Sequence, residues 1–184
     1  MTQGPDQFGL QHARATFSRA TLFLGNGLST AGAGPITGPL RNKVIGNSLR
    51  ELDRFLNLLI DQIAAMVLPE EAGPSFERQR NTANKYRTLR AALVLPSPDH
   101  DRLRAIGRSR DCLFHCGGIV RRGDRRGDTA MTAGWARADS RRGGRVSIGD
   151  RLIIDAADLT ALCRFYDALA GDLLTALAAH RRID

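Results

Sequence analysis

The apolar positions Ile45, Leu49, Leu52, Leu56, Leu59, Ile63 and Met66 are separated by alternating steps of four and three residues. Steps of that size draw one stripe down an α-helix, so the pattern predicts a long amphipathic helix after Pro39. The stripe reads first as the core face of an antiparallel bundle, and part of it as a surface that could receive a second copy. Upstream, a helix is expected over residues 7–24, stopped by the run G-N-G-L-S-T-A-G-A-G-P. Downstream, after a turn at residues 69–74, a polar helix over residues 76–95 turns Tyr86, Leu89 and Leu93 inward, and Pro96 and Pro98 break it. Asp99 or Asp101 then caps a helix over residues 100–116, which Gly117 and Gly118 close in the left-handed conformation.

Residues 119–150 lose the helical period and read as a loop or hairpin, with strands predicted around residues 131–135 and 145–154. A last helix, capped by Asp155, places Leu159, Leu162, Tyr166, Leu169, Leu173 and Leu177 on one face and packs it on the long helix. The predicted fold is all-α: an antiparallel bundle of about five helices with a small basic hairpin or loop before the last. One domain spans residues 1–184, with an N-terminal helix and Gly-rich loop at 1–38 and an Arg/Gly-rich insertion at 119–154.

Composition agrees with that picture. The chain has 184 residues, 42% hydrophobic and 25% charged, which suits one ordinary globular core. The net charge of +8 points to a polyanionic partner, because clustered cations gain affinity by releasing the counterions condensed on phosphates. Lys43 and Lys85 are the only lysines, so nearly all of this charge is arginine. Arg121, Arg122, Arg125, Arg126, Arg141 and Arg142 crowd into the insertion and are the predicted contacts to such a partner, RNA if the chain is a nuclease; removing residues 121–145 is then expected to weaken binding without touching the chemical step. Three cysteines cannot all pair, and residues 1–15 lack the apolar core of a signal peptide, so a reducing cytoplasm is the expected compartment. Asn57, Asp61 and Gln62 interrupt the longest apolar run, which excludes a helical membrane span. The Gly-rich run has no G-K-[ST] and no preceding strand, so it does not make a phosphate-binding loop.

The residues with chemistry lie in R-D-C-L-F-H at 110–115. Arg110 falls on the same stripe as Leu103, Ile106, Leu113 and Phe114, and a guanidinium there needs either an acidic residue on a neighbouring helix or a wet cleft. Asp111 and His115 stand four residues apart, so the carboxylate can orient the imidazole. Histidine can both take and give a proton near neutrality, as attack of an RNA 2′-hydroxyl on its own phosphate requires, and arginine matches the charge that develops there. Arg110 and His115 are nevertheless about 140° and about 7.5 Å apart on a regular helix. They converge only if the helix unwinds near His115 or if two copies face each other across a dimer. Zinc on Cys112, His115 and Cys116 lacks a second cysteine pair nearby, Cys163 being distant in sequence, and Cys112 as a nucleophile lacks an evident base.

This stretch resembles the signature of the HEPN family: an Arg, a polar residue, three further positions and a His near the C-terminal end of a helix. The likeness continues through H-C-G-G-I-V at 115–120, G-D-R-L-I-I-D at 149–155 and the leucine-rich final helix, covering about residues 100–180. It implies a helical bundle that dimerises through the motif helix and acts as an endoribonuclease needing neither metal nor cofactor, in a toxin or defence setting with an antitoxin or nucleotidyltransferase partner. By the same resemblance Arg110 stabilises the phosphate, His115 is the acid or base, and Asp111 is the polar helper; a HEPN-like module that binds RNA or protein without catalysis is the alternative. Cys116 stands where relatives often carry Asn, and the insertion is long for the family.

Overall fold

The computed structural model describes residues 5–27, 40–135 and 144–182. Residues 28–39, which hold the Gly-rich run beyond Gly27, and the segment 136–143, with Arg141 and Arg142, lie outside the described residues. The described residues form six α-helices: α1 (Pro5–Gly27), α2 (Arg41–Val67), α3 (Gly73–Glu77), α4 (Thr82–Ala92), α5 (His100–Cys116) and α6 (Ala156–His180). A two-stranded antiparallel sheet, β1 (Ala130–Thr132) on β2 (Arg145–Ser147), precedes the last helix and pairs Met131 with Val146. The all-α class with a small hairpin before the final helix therefore holds. Among the described residues no helix is long and apolar enough to cross a membrane.

The expected polar helix over 76–95 is instead two helices. Asn81 adopts an extended conformation (φ −97°, ψ 118°), and its side chain accepts the Asn84 amide. It acts as an N-cap, restarting the helix three residues after α3 and its cap have ended. The final helix begins with a reciprocal cap: Asp155 Oδ1 accepts from the Asp158 amide at 2.7 Å, and Asp158 Oδ2 accepts from the Asp155 amide at 3.0 Å.

Backbone contacts divide the chain into two compact units. The first comprises Met1–Thr21, Leu52–His100 and Arg164–Asp184. Here Leu56, Leu59 and Ile63 of α2, Tyr86 and Leu89 of α4, and Tyr166, Leu169 and Leu173 of α6 are buried. The buried Tyr166 hydroxyl donates to the buried Asp53, so α6 meets α2 as the apolar stripes predict. Each fully buried Leu or Ile contributes roughly 1.5–3 kcal/mol, which makes these stripes the main source of stability in this unit.

The second unit comprises Leu22–Glu51 and Asp101–Cys163. Leu103, Ile106 and Leu113 of α5 face a core completed by Val120, Met131, Ala133, Trp135, Leu152 and Ile154. The insertion thus supplies six buried side chains of this unit's hydrophobic core and is no appendage. Its attachment is close: the Gly134 amide donates to the buried Ser109 Oγ at 3.1 Å, and a Cβ on Gly134 would lie 2.5 Å from the Ile106 backbone. Deleting residues 121–145 would remove Met131 and Trp135 from that core, so the deletion would disturb packing as well as remove arginines.

Candidate active site

Helix α5 ends where Gly117 (φ +60°) and Gly118 (φ +85°) reverse the chain, a type I′ turn that side-chain-bearing residues enter only with strain. The Ile119 amide donates across this turn to the Cys116 carbonyl, and the Gly118 amide reaches back to Cys112. Asn42 of α2 clamps the turn by donating from Nδ2 to the Gly117 carbonyl at 2.6 Å. A second fixing point lies one turn further along α2. A Cβ on the buried Gly46 would stand 3.0 Å from Phe114 Cβ and 3.1 Å from the Phe114 nitrogen. Glycine there lets the backbones of α2 and α5 approach directly under the motif.

The result is a cavity of about 330 Å³ lined by Gly46, Arg50, Arg110, Asp111, Phe114 and His115. Arg110 and His115 therefore open into one concavity of a single chain, although helical arithmetic separates them. Arg50, exposed on α2, adds a second guanidinium that no pattern around the motif could signal; the only hint was a glycine in the second turn of a strongly amphipathic helix, four residues before it.

Arg110 is 24% exposed and donates from Nε (3.0 Å) and Nη2 (2.8 Å) to one oxygen of Asp111, itself 59% exposed. One carboxylate partner is thus the next residue of its own helix. For the same reason the expected pairing of Asp111 with His115 is replaced by the Asp111–Arg110 pair. His115 is exposed and meets the edge of Phe114 at 4.8 Å, a ring that also carries Lys43 Nζ 5.7 Å from its centre. Phe114 is half-buried at the cavity wall, whereas the other three apolar positions of α5 are fully inside.

Asp111 and His115 also line a second cavity, of about 710 Å³, on the side of the hairpin. Of the predicted RNA contacts, Arg121 and Arg122 reach this cavity, Arg125 lines a third one further along α5, and Arg126 is exposed. Burial, and next to it Cys116, push the Cys112 thiol up to about 11, so it stays protonated at neutral pH and is a poor nucleophile or metal ligand. Comparisons with protein-family models, with curated proteins and with solved structures find no match to this chain.

Proposed function

We propose that the chain is a metal-independent endoribonuclease of the HEPN kind. The observation that carries this reading is the shared cavity: a proton-transferring imidazole and two guanidiniums face one space large enough for a phosphate and its sugar. A 2′-hydroxyl oxygen attacks the adjacent phosphorus, its proton leaves to a base, the bond to the 5′-oxygen breaks, and that oxygen takes up a proton. His115 performs one of these transfers and solvent the other. Arg110 and Arg50 carry the charge that gathers on the non-bridging oxygens. Asp111 acts on Arg110, holding its fork at the cavity mouth until a phosphate displaces the carboxylate. The products are a 2′,3′-cyclic phosphate and a 5′-hydroxyl, in the setting of a toxin or defence component with an antitoxin or nucleotidyltransferase as its partner.

Incubation of the full chain with mixed cellular RNA in the presence of chelator tests the reading. Wild type should cut, His115→Ala should not, and Arg110→Ala should be slower by roughly 10²–10⁴-fold. Because His115 is exposed, its removal leaves the core untouched, and the circular dichroism of the variant should match wild type. Wild type that leaves RNA intact, or His115→Ala that cuts as well as wild type, would replace this reading with that of a HEPN-like module that binds RNA without cleaving it.

A further inference from the structure

The three cavities of the second unit are linked by shared walls. The first, about 330 Å³, and the second, about 710 Å³, have Asp111 and His115 in common. The second and the third, about 420 Å³, have Arg108 in common. They follow one another along the outer side of α5, and each has at least two arginines in its wall: Arg50 and Arg110, then Arg121 and Arg122 beside Arg108, then Arg104, Arg125 and Arg145.

Their chemistry differs in order. The first cavity is mainly polar, while the walls of the second are mainly apolar, with Cys112, Cys116 and Met131 behind a rim of guanidiniums. In the third, polar again, the acidic side chains are partly occupied: Asp124 pairs with Arg108 and accepts from Thr132, and Asp128 accepts the Arg125 amide. Asp101 lines it as well. Arg104 and Arg125 form no salt bridge among the described residues, and the four arginines of this cavity outnumber its three carboxylates, which leaves a net positive wall for an outside anion.

We propose that this series is one binding track for single-stranded RNA, in which the middle cavity seats an unstacked base beside His115 and the outer two hold the flanking phosphates. The proposal rests on the ribonuclease reading only for what His115 does once the strand is seated. Polar, apolar, polar is the order in which a strand presents phosphate, base and phosphate when one base is swung out. A volume of about 710 Å³ lies within the range of small-ligand pockets, roughly 300–1,000 Å³. A duplex keeps its bases stacked and cannot fill a recessed apolar space, so it would meet only the arginine rim. Arg104, Arg108 and Arg145 thereby join the binding surface, and specificity for the seated base resides in the walls contributed by Cys112, Cys116 and Met131.

The test is fluorescence anisotropy of the full chain with an eight-nucleotide 2′-fluoro RNA, which lacks the attacking hydroxyl, as a single strand and as a duplex. The single strand should bind about tenfold tighter. The exposed pair Arg104→Glu and Arg145→Glu should together weaken single-strand binding at least tenfold and flatten its dependence on log salt by roughly 1.4, two single-strand phosphate contacts at roughly 0.7 each. Cys116→Trp, which fills the middle cavity from its half-buried edge, should weaken the single strand and leave the duplex unchanged. Equal binding of strand and duplex, or Arg104→Glu/Arg145→Glu protein that binds as wild type, overturns the track. Arg104 and Arg145 are both exposed, and a circular dichroism spectrum matching wild type would show the double variant folded, so it still tests the track if Cys116→Trp misfolds. Since this RNA cannot be cut, binding as described by a protein that leaves cellular RNA intact overturns cleavage alone. Cutting without strand preference overturns the track alone.

Discussion

Asp124 shows how one residue fixes the hairpin on the motif helix. Burial works against its charge, but hydrogen bonds from Thr132 Oγ1 (2.6 Å) and the Thr132 amide (3.0 Å), with Arg108 at 2.9 Å and the field of Arg145, outweigh it and hold the carboxyl below its usual range. A depressed folded value means that ionised Asp124 favours the folded state. That stabilisation is complete above the unfolded value of about 3.9 and is lost as the pH falls through the lower folded value. Trp135, the one tryptophan, is buried in the same core and donates from Nε1 to the Ile153 carbonyl, so its emission reports the loss. Acid titration should shift that emission to the red in wild type, whereas Asp124→Ala should be less stable at neutral pH and show a shallower acid transition; identical acid transitions would remove Asp124 from this role. Residues of this kind were hardly legible beforehand. The Arg110–His115 motif could be read because its members are neighbours on one helix, but the partner of Asp111 was a choice between two neighbours that only side-chain geometry decides.

At the scale of the elements, glycine separates two effects that sequence reading merges. In a helix interior, replacing Gly by Ala ordinarily gains about 0.5–1 kcal/mol, because glycine has more backbone freedom to lose. Gly107 of α5 has nothing within 4 Å of an added Cβ, so Gly107→Ala should raise Tm by about 1–4 °C. At Gly46 the same methyl group meets Phe114 Cβ at 3.0 Å and the Arg110 carbonyl at 3.3 Å, and both atoms are held by the helix itself. Gly46→Ala should therefore lower Tm and, by pushing α5 away from α2, reduce RNA cleavage more than stability. A calorimetric scan with equal gains at both glycines would refute the close approach. Helix positions were legible because α2, α5 and α6 each repeat their apolar residues at the helical period. The division of the expected 76–95 helix was not, since its cause, the Asn81 cap, is a single polar residue in a polar stretch.

For the whole molecule, the sequence pattern anticipated the leucine-rich core of the first unit and missed the second core, where Val120, Met131, Trp135, Leu152 and Ile154 come from a segment with neither helical nor clean strand period. Irregular backbone hides burial from pattern reading, because no fixed angle relates one inward residue to the next. The resemblance implies a homodimer through the motif helix, and one argument for it was that Arg110 and His115 diverge. With both on one cavity, a second copy is not needed for convergence, and dimerisation would act by joining two tracks into a longer surface. Light scattering at micromolar concentration is expected to give twice the chain mass of 20.0 kDa; a monomer that still cuts RNA would separate the chemistry from the assembly.

The reversal after α5 leaves Cys116 half-buried at the edge of the middle cavity, while Cys112 and Cys163 are buried with thiols near 11. In alkylation chemistry this makes the three cysteines unequal, since reaction with an electrophile needs both access and a thiolate. A maleimide or an acrylamide should find Cys116 first, one residue from the imidazole. An electrophile carried on a nucleobase-like scaffold would thus meet its thiol beside His115, which gives a covalent inhibitor a foothold that an exposed phosphate-binding surface of arginines alone would lack.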